Sequence, residues 1–178
     1  MKIQIASDLH IEFPENKEFL MRNPLKPVGD ILILGGDIVP FQQMDEHHDF
    51  FDYLSRNFDL TYWLPGNHEY YHSDLLEKPF TLYENIRDNI FLVNNISIES
   101  GNTNLIFSTL WTRIDQSNEY ELQLSYSDFH AIRNDRWLLD IEQYNSMHDK
   151  CLAFLKEKIK TINKENVVII THHMPTFQ

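Results

Sequence analysis

Cysteine is almost absent from this chain: Cys151 stands alone among 178 residues, so no disulfide can close within it. Its place in a helical pattern marks it as a small buried hydrophobe, and a reducing, cytoplasmic setting is expected. Long apolar runs are also lacking; none approaches the about 20 residues that a bilayer-spanning helix requires. The opening stretch MKIQIASD carries one lysine and then alternates apolar with polar residues, unlike the unbroken apolar core of a signal peptide. Export is not indicated. Basic residues are the third shortage, with 15 Lys and Arg against 27 Asp and Glu and a net charge of −12. Such a surface repels nucleic-acid phosphates and anionic lipid, so neither extended nucleic-acid binding nor a membrane partner is expected. A small phosphate ester remains admissible, because a bound dication is often the largest charge in its site and reverses the field locally. Oligomeric state has no readable signal.

The length allows one domain, 1–178, able to bury roughly two-thirds of its unfolded surface. Residues 2–6 alternate as a strand, and the continuous run Ile31-Leu32-Ile33-Leu34 predicts a strand covered on both faces. Residues 60–64, 90–98, 104–110 and 167–171 read likewise. Three- and four-residue steps through Met44, His47, Phe51, Leu54 and Phe58 predict a helix over 44–58. Met147, Cys151, Leu155, Ile159 and Ile162 predict another over 146–162, capped by Ser146 or Asn145. Residues 17–22 and 74–88 are weaker helical candidates, the second interrupted by Pro79. Residues 111–137, aromatic and polar without a period, read as a long loop: a cap over a site or a surface excursion. The organisation is α/β.

Four of the strands end in metal-ligand residues: Asp8 and His10 after the first, Asp37 after Gly35-Gly36, Asn67 and His68 after Pro65-Gly66, and His172-His173 after Thr171. In open α/β sheets ligands bind beyond the carboxyl ends of the strands, so these groups can converge although they lie far apart in the chain. In Asp8-Leu9-His10 an extended backbone would aim both side chains the same way. Gly35-Gly36-Asp37 permits a tight turn with a carboxylate at the sheet edge. Asn67 offers a neutral oxygen beside an imidazole. Of His172 and His173, adjacent on an extended chain, one should face the site and the other should not. Each cluster alone also has an ordinary structural explanation as a turn or a cap. His47, His48, His72, His130 and His148 lack a comparable setting.

Taken in order, Asp8-x-His10, Gly36-Asp37, Gly66-Asn67-His68-Glu69 and Thr171-His172-x-x-Pro175 resemble the motifs of the calcineurin-like metallophosphoesterase family. Leu110-Trp111-Thr112 and Asp128-Phe129 resemble its uncharacterised bacterial members. The resemblance implies a four-layer α/β/β/α sandwich and a two-metal site that hydrolyses phosphomonoesters or phosphodiesters. By position, Asp8 and His10 would hold one ion, Asp37 would bridge, and Asn67 with His172 would hold the other, His173 being the reserve imidazole. Mixed nitrogen and oxygen ligands suit manganese, iron or zinc better than magnesium. His68 would protonate the leaving oxygen.

The sequence departs from the family pattern twice. Pro40 stands where many relatives carry an acidic residue that orients the catalytic histidine, leaving Asp45 and Asp74 as substitutes. The closing Gly-His-x-His segment does not occur before Gln178, which reads as a sandwich truncated at its C-terminal strands. Two functions follow as expectations: a metal-dependent phosphoric ester hydrolase, or a catalytically weak binding module on the same fold.

Overall fold

The computed structural model describes residues 1–163 and 165–175. In chain order the elements are β1 (Ile3–Ala6), α1 (Pro14–Arg22), β2 (Ile31–Leu34), α2 (His48–Asn57), β3 (Leu60–Trp63), β4 (Leu82–Arg87), β5 (Ile90–Asn94), β6 (Ile96–Ser100), β7 (Thr103–Ser108), α3 (Glu119–Ser125), α4 (Asp128–Ala131), β8 (Arg133–Asn134), β9 (Trp137–Leu138), α5 (Ile141–Thr161) and β10 (Asn166–Thr171).

One sheet has the order β1-β2-β3-β5-β4, and a second has the order β10-β7-β6. In the first, β1, β2, β3 and β5 run parallel and only β4 is antiparallel. Strand alternation sorts the side chains into layers. Ile31, Ile33, Tyr62 and Leu64 face Leu105, Phe107 and Ile170 between the sheets. Their neighbours Leu32, Leu34 and Trp63 point the other way, against Phe51 and Leu54 of α2. Ile106 of the second sheet packs outward on Tyr144, Cys151 and Leu155 of α5. The result is the expected α/β/β/α sandwich. No helix among the described residues is long and apolar enough to cross a membrane.

Several local readings are corrected. Residues 74–88 do not form a helix: one 3-10 turn, Leu75–Glu77, is followed by β4, and Pro79 between them lacks the amide that would continue it. The run 90–98 is two strands in different sheets. Asn95 hands the chain across in the left-handed region at φ 47°, its side chain bonding Phe80 O and accepting from Ser108. The first four residues of the 44–58 candidate belong to a 3-10 segment, Phe41–His47, and α2 begins at His48. Helix α5 starts at Ile141, ahead of the predicted cap at Asn145 or Ser146, because Asp140 and Gln143 form a reciprocal capping box.

The segment 111–137 is not a loose loop. Trp111, Ile114, Phe129 and Ile132 are buried with α5, and the segment builds α3, α4 and the start of a short hairpin. Its helices of seven and four residues are too short to show a period.

Candidate metal site

The strand ends converge as the parallel order requires. Strands β1, β2 and β3 lie side by side, and β10 reaches the same edge from the second sheet. The extended geometry expected for Asp8-x-His10 is not what occurs. Strand β1 stops at Ala6, and Asp8, His10 and Asp37 all take left-handed backbone conformations, with φ of 55°, 44° and 55°. Such conformations cost free energy in non-glycine residues and concentrate at functional sites. Here backbone bonds hold them: Asp8 N to Gly36 O, His10 N to Asp37 O and Ile11 N to Ile38 O, at 2.9, 3.0 and 2.9 Å.

Glycine is required where the loops meet. At Gly36, φ +100°, a Cβ would stand 2.4 Å from His172 Nδ1; at Gly66 one would stand 2.2 Å from Asp37 Oδ1 and 2.6 Å from His172 Nε2. The two missing side chains let the imidazole lie directly against both loops.

Within this cradle Asp37 faces two histidines. Its Oδ1 is 3.4 Å from His172 Nε2, and its Oδ2 is 3.7 Å from His10 Nε2. Asn67 Oδ1 lies 3.3 Å from the same His172 nitrogen, and the Asp8, Asp37 and His172 ligand atoms all fall within 4.8 Å of one another. Donors that share an ion at about 2.1 Å stand roughly 3–3.5 Å apart, so the spacing fits a cation. The tautomers fit as well. His172 Nδ1 donates to Gly35 O at 2.9 Å, and His10 Nδ1 lies 3.1 Å from Glu12 Oε1, so each ring presents Nε2 to Asp37.

The structure separates the two adjacent imidazoles. His172 joins the cluster; His173 turns from it, 5.5 Å from the Trp111 ring, with both nitrogens buried and unpartnered. Burial, with His172 and His148 adding repulsion, pushes its pKa down to about 4.

His68 forms a second group with His10 and Glu12. Its ring stacks on Tyr71 at 4.0 Å and meets His10 edge-on at 4.5 Å. Glu12 Oε1 lies 3.9 Å from His68 Nδ1. Burial opposes charge on His68, but Glu12 and Asp37 outweigh it and raise the pKa. Burial pushes the Glu12 carboxyl up, but the neighbouring His68 and the hydrogen bond with His10 outweigh it and hold it below its usual value. Glu12, not Asp45 or Asp74, is the carboxylate beside His68; Asp74 instead accepts from the amides of Leu76, Asp135 and Arg136.

Glu69, fully buried, ties the frame together. Its carboxylate accepts from Gly66 N at 2.6 Å, Asp37 N at 2.9 Å, Ile38 N at 2.8 Å and Trp63 Nε1 at 3.0 Å. Burial and the nearby Asp37 raise its pKa against the pull of these bonds. Behind Asn67 lies Asp128, whose Oδ1 accepts from Asn67 Nδ2 at 2.7 Å and from Tyr71 Oη at 2.8 Å. Sequence reading gave no role to Glu12, Glu69, Tyr71 or Asp128. Glu69 and Asp128 lie inside the Gly66-Asn67-His68-Glu69 and Asp128-Phe129 motifs, whereas Glu12 has only its two-residue spacing from His10 as a signal.

A layered α/β sandwich with carboxylate, imidazole and amide donors at one sheet edge defines a metallophosphoesterase. The chain belongs to the calcineurin-like phosphoesterase family, whose model it matches over residues 1–177. It is 31% identical over 199 residues to an uncharacterized protein of Acanthamoeba polyphaga mimivirus, the match covering 98% of this chain and 68% of the relative. Its fold is similar to that of the phosphopantetheinyl hydrolase of Mycobacterium tuberculosis, with a TM-score of 0.64 at 16% identity over 98% of this chain and 68% of that one. At that identity the likeness speaks for the fold alone.

Proposed function

We propose that this chain is a metal-dependent hydrolase of small phosphomonoesters or phosphodiesters that works with two divalent ions. The observation that carries the reading is Asp37, whose two oxygens face His172 Nε2 and His10 Nε2 separately. Asp8 and His10 would hold one ion and Asn67 and His172 the other, with Asp37 between them. The mixed donor set favours manganese, iron or zinc. When bound, two such ions supply an activated water and charge neutralisation at the phosphoryl group.

The chain's own residues do the rest. His68, whose pKa Glu12 and Asp37 raise against its burial and whose ring stacks on Tyr71, donates a proton to the leaving oxygen. The net charge of −12 disfavours long polyanions and leaves a small ester as the fitting substrate. We place the protein in a reducing, cytoplasmic compartment, on its lone buried Cys151. The alternative, a binding module without turnover, rests in part on Pro40, and Glu12 beside His68 weakens that part.

The test is release of nitrophenolate from an aryl phosphate monoester and the matching diester, with and without added Mn²⁺. Metal-dependent turnover that Asp37→Asn abolishes supports the hydrolase. Retained folding with no turnover on either ester supports the module.

A further inference from the structure

An asparagine ligand has an ambiguity that a carboxylate lacks: only its oxygen can bind a cation, while its amide nitrogen would repel one. Something must fix which end faces the site. In this fold Asp128 does so from outside the four strand-end motifs. Its Oδ1 accepts a hydrogen bond from Asn67 Nδ2 at 2.7 Å, and Asn67 Oδ1 is thereby left toward His172 Nε2 at 3.3 Å. The same Oδ1 accepts from Tyr71 Oη at 2.8 Å, and the Tyr71 ring carries His68 at 4.0 Å. One oxygen atom therefore sets both a ligand's direction and the plane under the candidate proton donor. Asp128 has no exposed surface, and its other oxygen is buried without a partner. Packing alone does not ask for such a group, since a buried polar atom without a bond is costly. The acceptor role holds whether or not the carboxyl is ionised.

Resting on the two-metal reading above, we infer that Asp128 is a positioning residue that orients Asn67 Oδ1 toward the cation and anchors Tyr71 beneath His68. The segment 111–137 then serves as the rear wall of the site through α4, which buried Phe129 and Ile132 pin to the core.

The experiment is calorimetric titration of Mn²⁺ alone into metal-free wild type, Asp128→Ala and Asp128→Asn, with amide NMR of the Asn67 side chain in the same proteins. Asp128→Ala is expected to weaken one Mn²⁺ equivalent about 10–100-fold and spare the other. The Asn67 side-chain amide should lose its protection from exchange. Asp128→Asn, which keeps an acceptor oxygen, should recover most of the affinity. Should Asp128→Ala not fold, Asn67→Asp alone and combined with Asp128→Asn decide the matter: like charges weaken binding in the single variant, and the double variant restores it. Wild-type affinity in Asp128→Ala, or no rescue in the double variant, overturns the inference. A wild type that binds no Mn²⁺ while its Asn67 amide stays protected would instead overturn the two-metal reading.

Discussion

Glu12 Oε1 lies 3.9 Å from His68 Nδ1 and 3.1 Å from His10 Nδ1, so one carboxylate serves both imidazoles. A positioned acid matters most when the leaving oxygen is basic. Glu12→Gln should lower kcat about 10–100-fold on an alkyl phosphate and much less on a nitrophenyl ester. Equal losses on both esters would remove the proton-donor role from His68.

Gly66→Ala should abolish tight metal binding while leaving most of the fold in place. The added methyl would lie 2.2 Å from Asp37 Oδ1 and 2.6 Å from His172 Nε2. The overpacking costs about 1–3 kcal/mol of stability. Calorimetry with Mn²⁺ and urea unfolding separate the two effects.

Glu69→Ala should be among the most destabilising changes in the chain. It leaves three backbone amides and the Trp63 indole N–H without their acceptor in a fully buried place. A loss of about 3 kcal/mol or more is expected in urea unfolding. Glu69→Gln should lie between, because it keeps one acceptor oxygen.

His47 gives the chain a pH-dependent contribution to stability. Burial and the nearby Lys17 lower its pKa against Asp49, Glu46 and Glu12, so the folded state disfavours the charged ring. The unfolded chain binds the proton more readily, and the contribution is therefore lost as pH falls below about 6.5, the unfolded value. His47→Asn should shrink the drop in melting temperature between pH 7 and pH 5 relative to wild type.

What the sequence made legible, and what it hid, follows from the range of the signals. Strand ends carrying Asp37, Asn67 and His172 could be read because each sits two or three residues past an apolar run. The unbroken apolar run Ile31–Leu34 likewise announces a strand buried on both faces. The left-handed turns at Asp8 and His10 were hidden, since no glycine marks them and their support is a set of backbone bonds to the 36–38 loop. Asp128 was hidden as a partner for the same reason of distance, reaching Asn67 only once 111–137 folds onto α5. Segment 74–88 misled because its spacing suits a helix while Pro79 and the pairing of β4 with β5 decide otherwise.

The central claim is that Asp37 joins two cation sites in one phosphoesterase centre. Its most direct measurement is the number of Mn²⁺ equivalents bound by wild type and by Asp37→Asn, read by calorimetry alongside metal-dependent release of nitrophenolate. Two equivalents in the wild type, with both binding and turnover collapsing in Asp37→Asn, is the result predicted. Turnover that survives metal removal, or Asp37→Asn binding two equivalents as tightly as wild type, would contradict it.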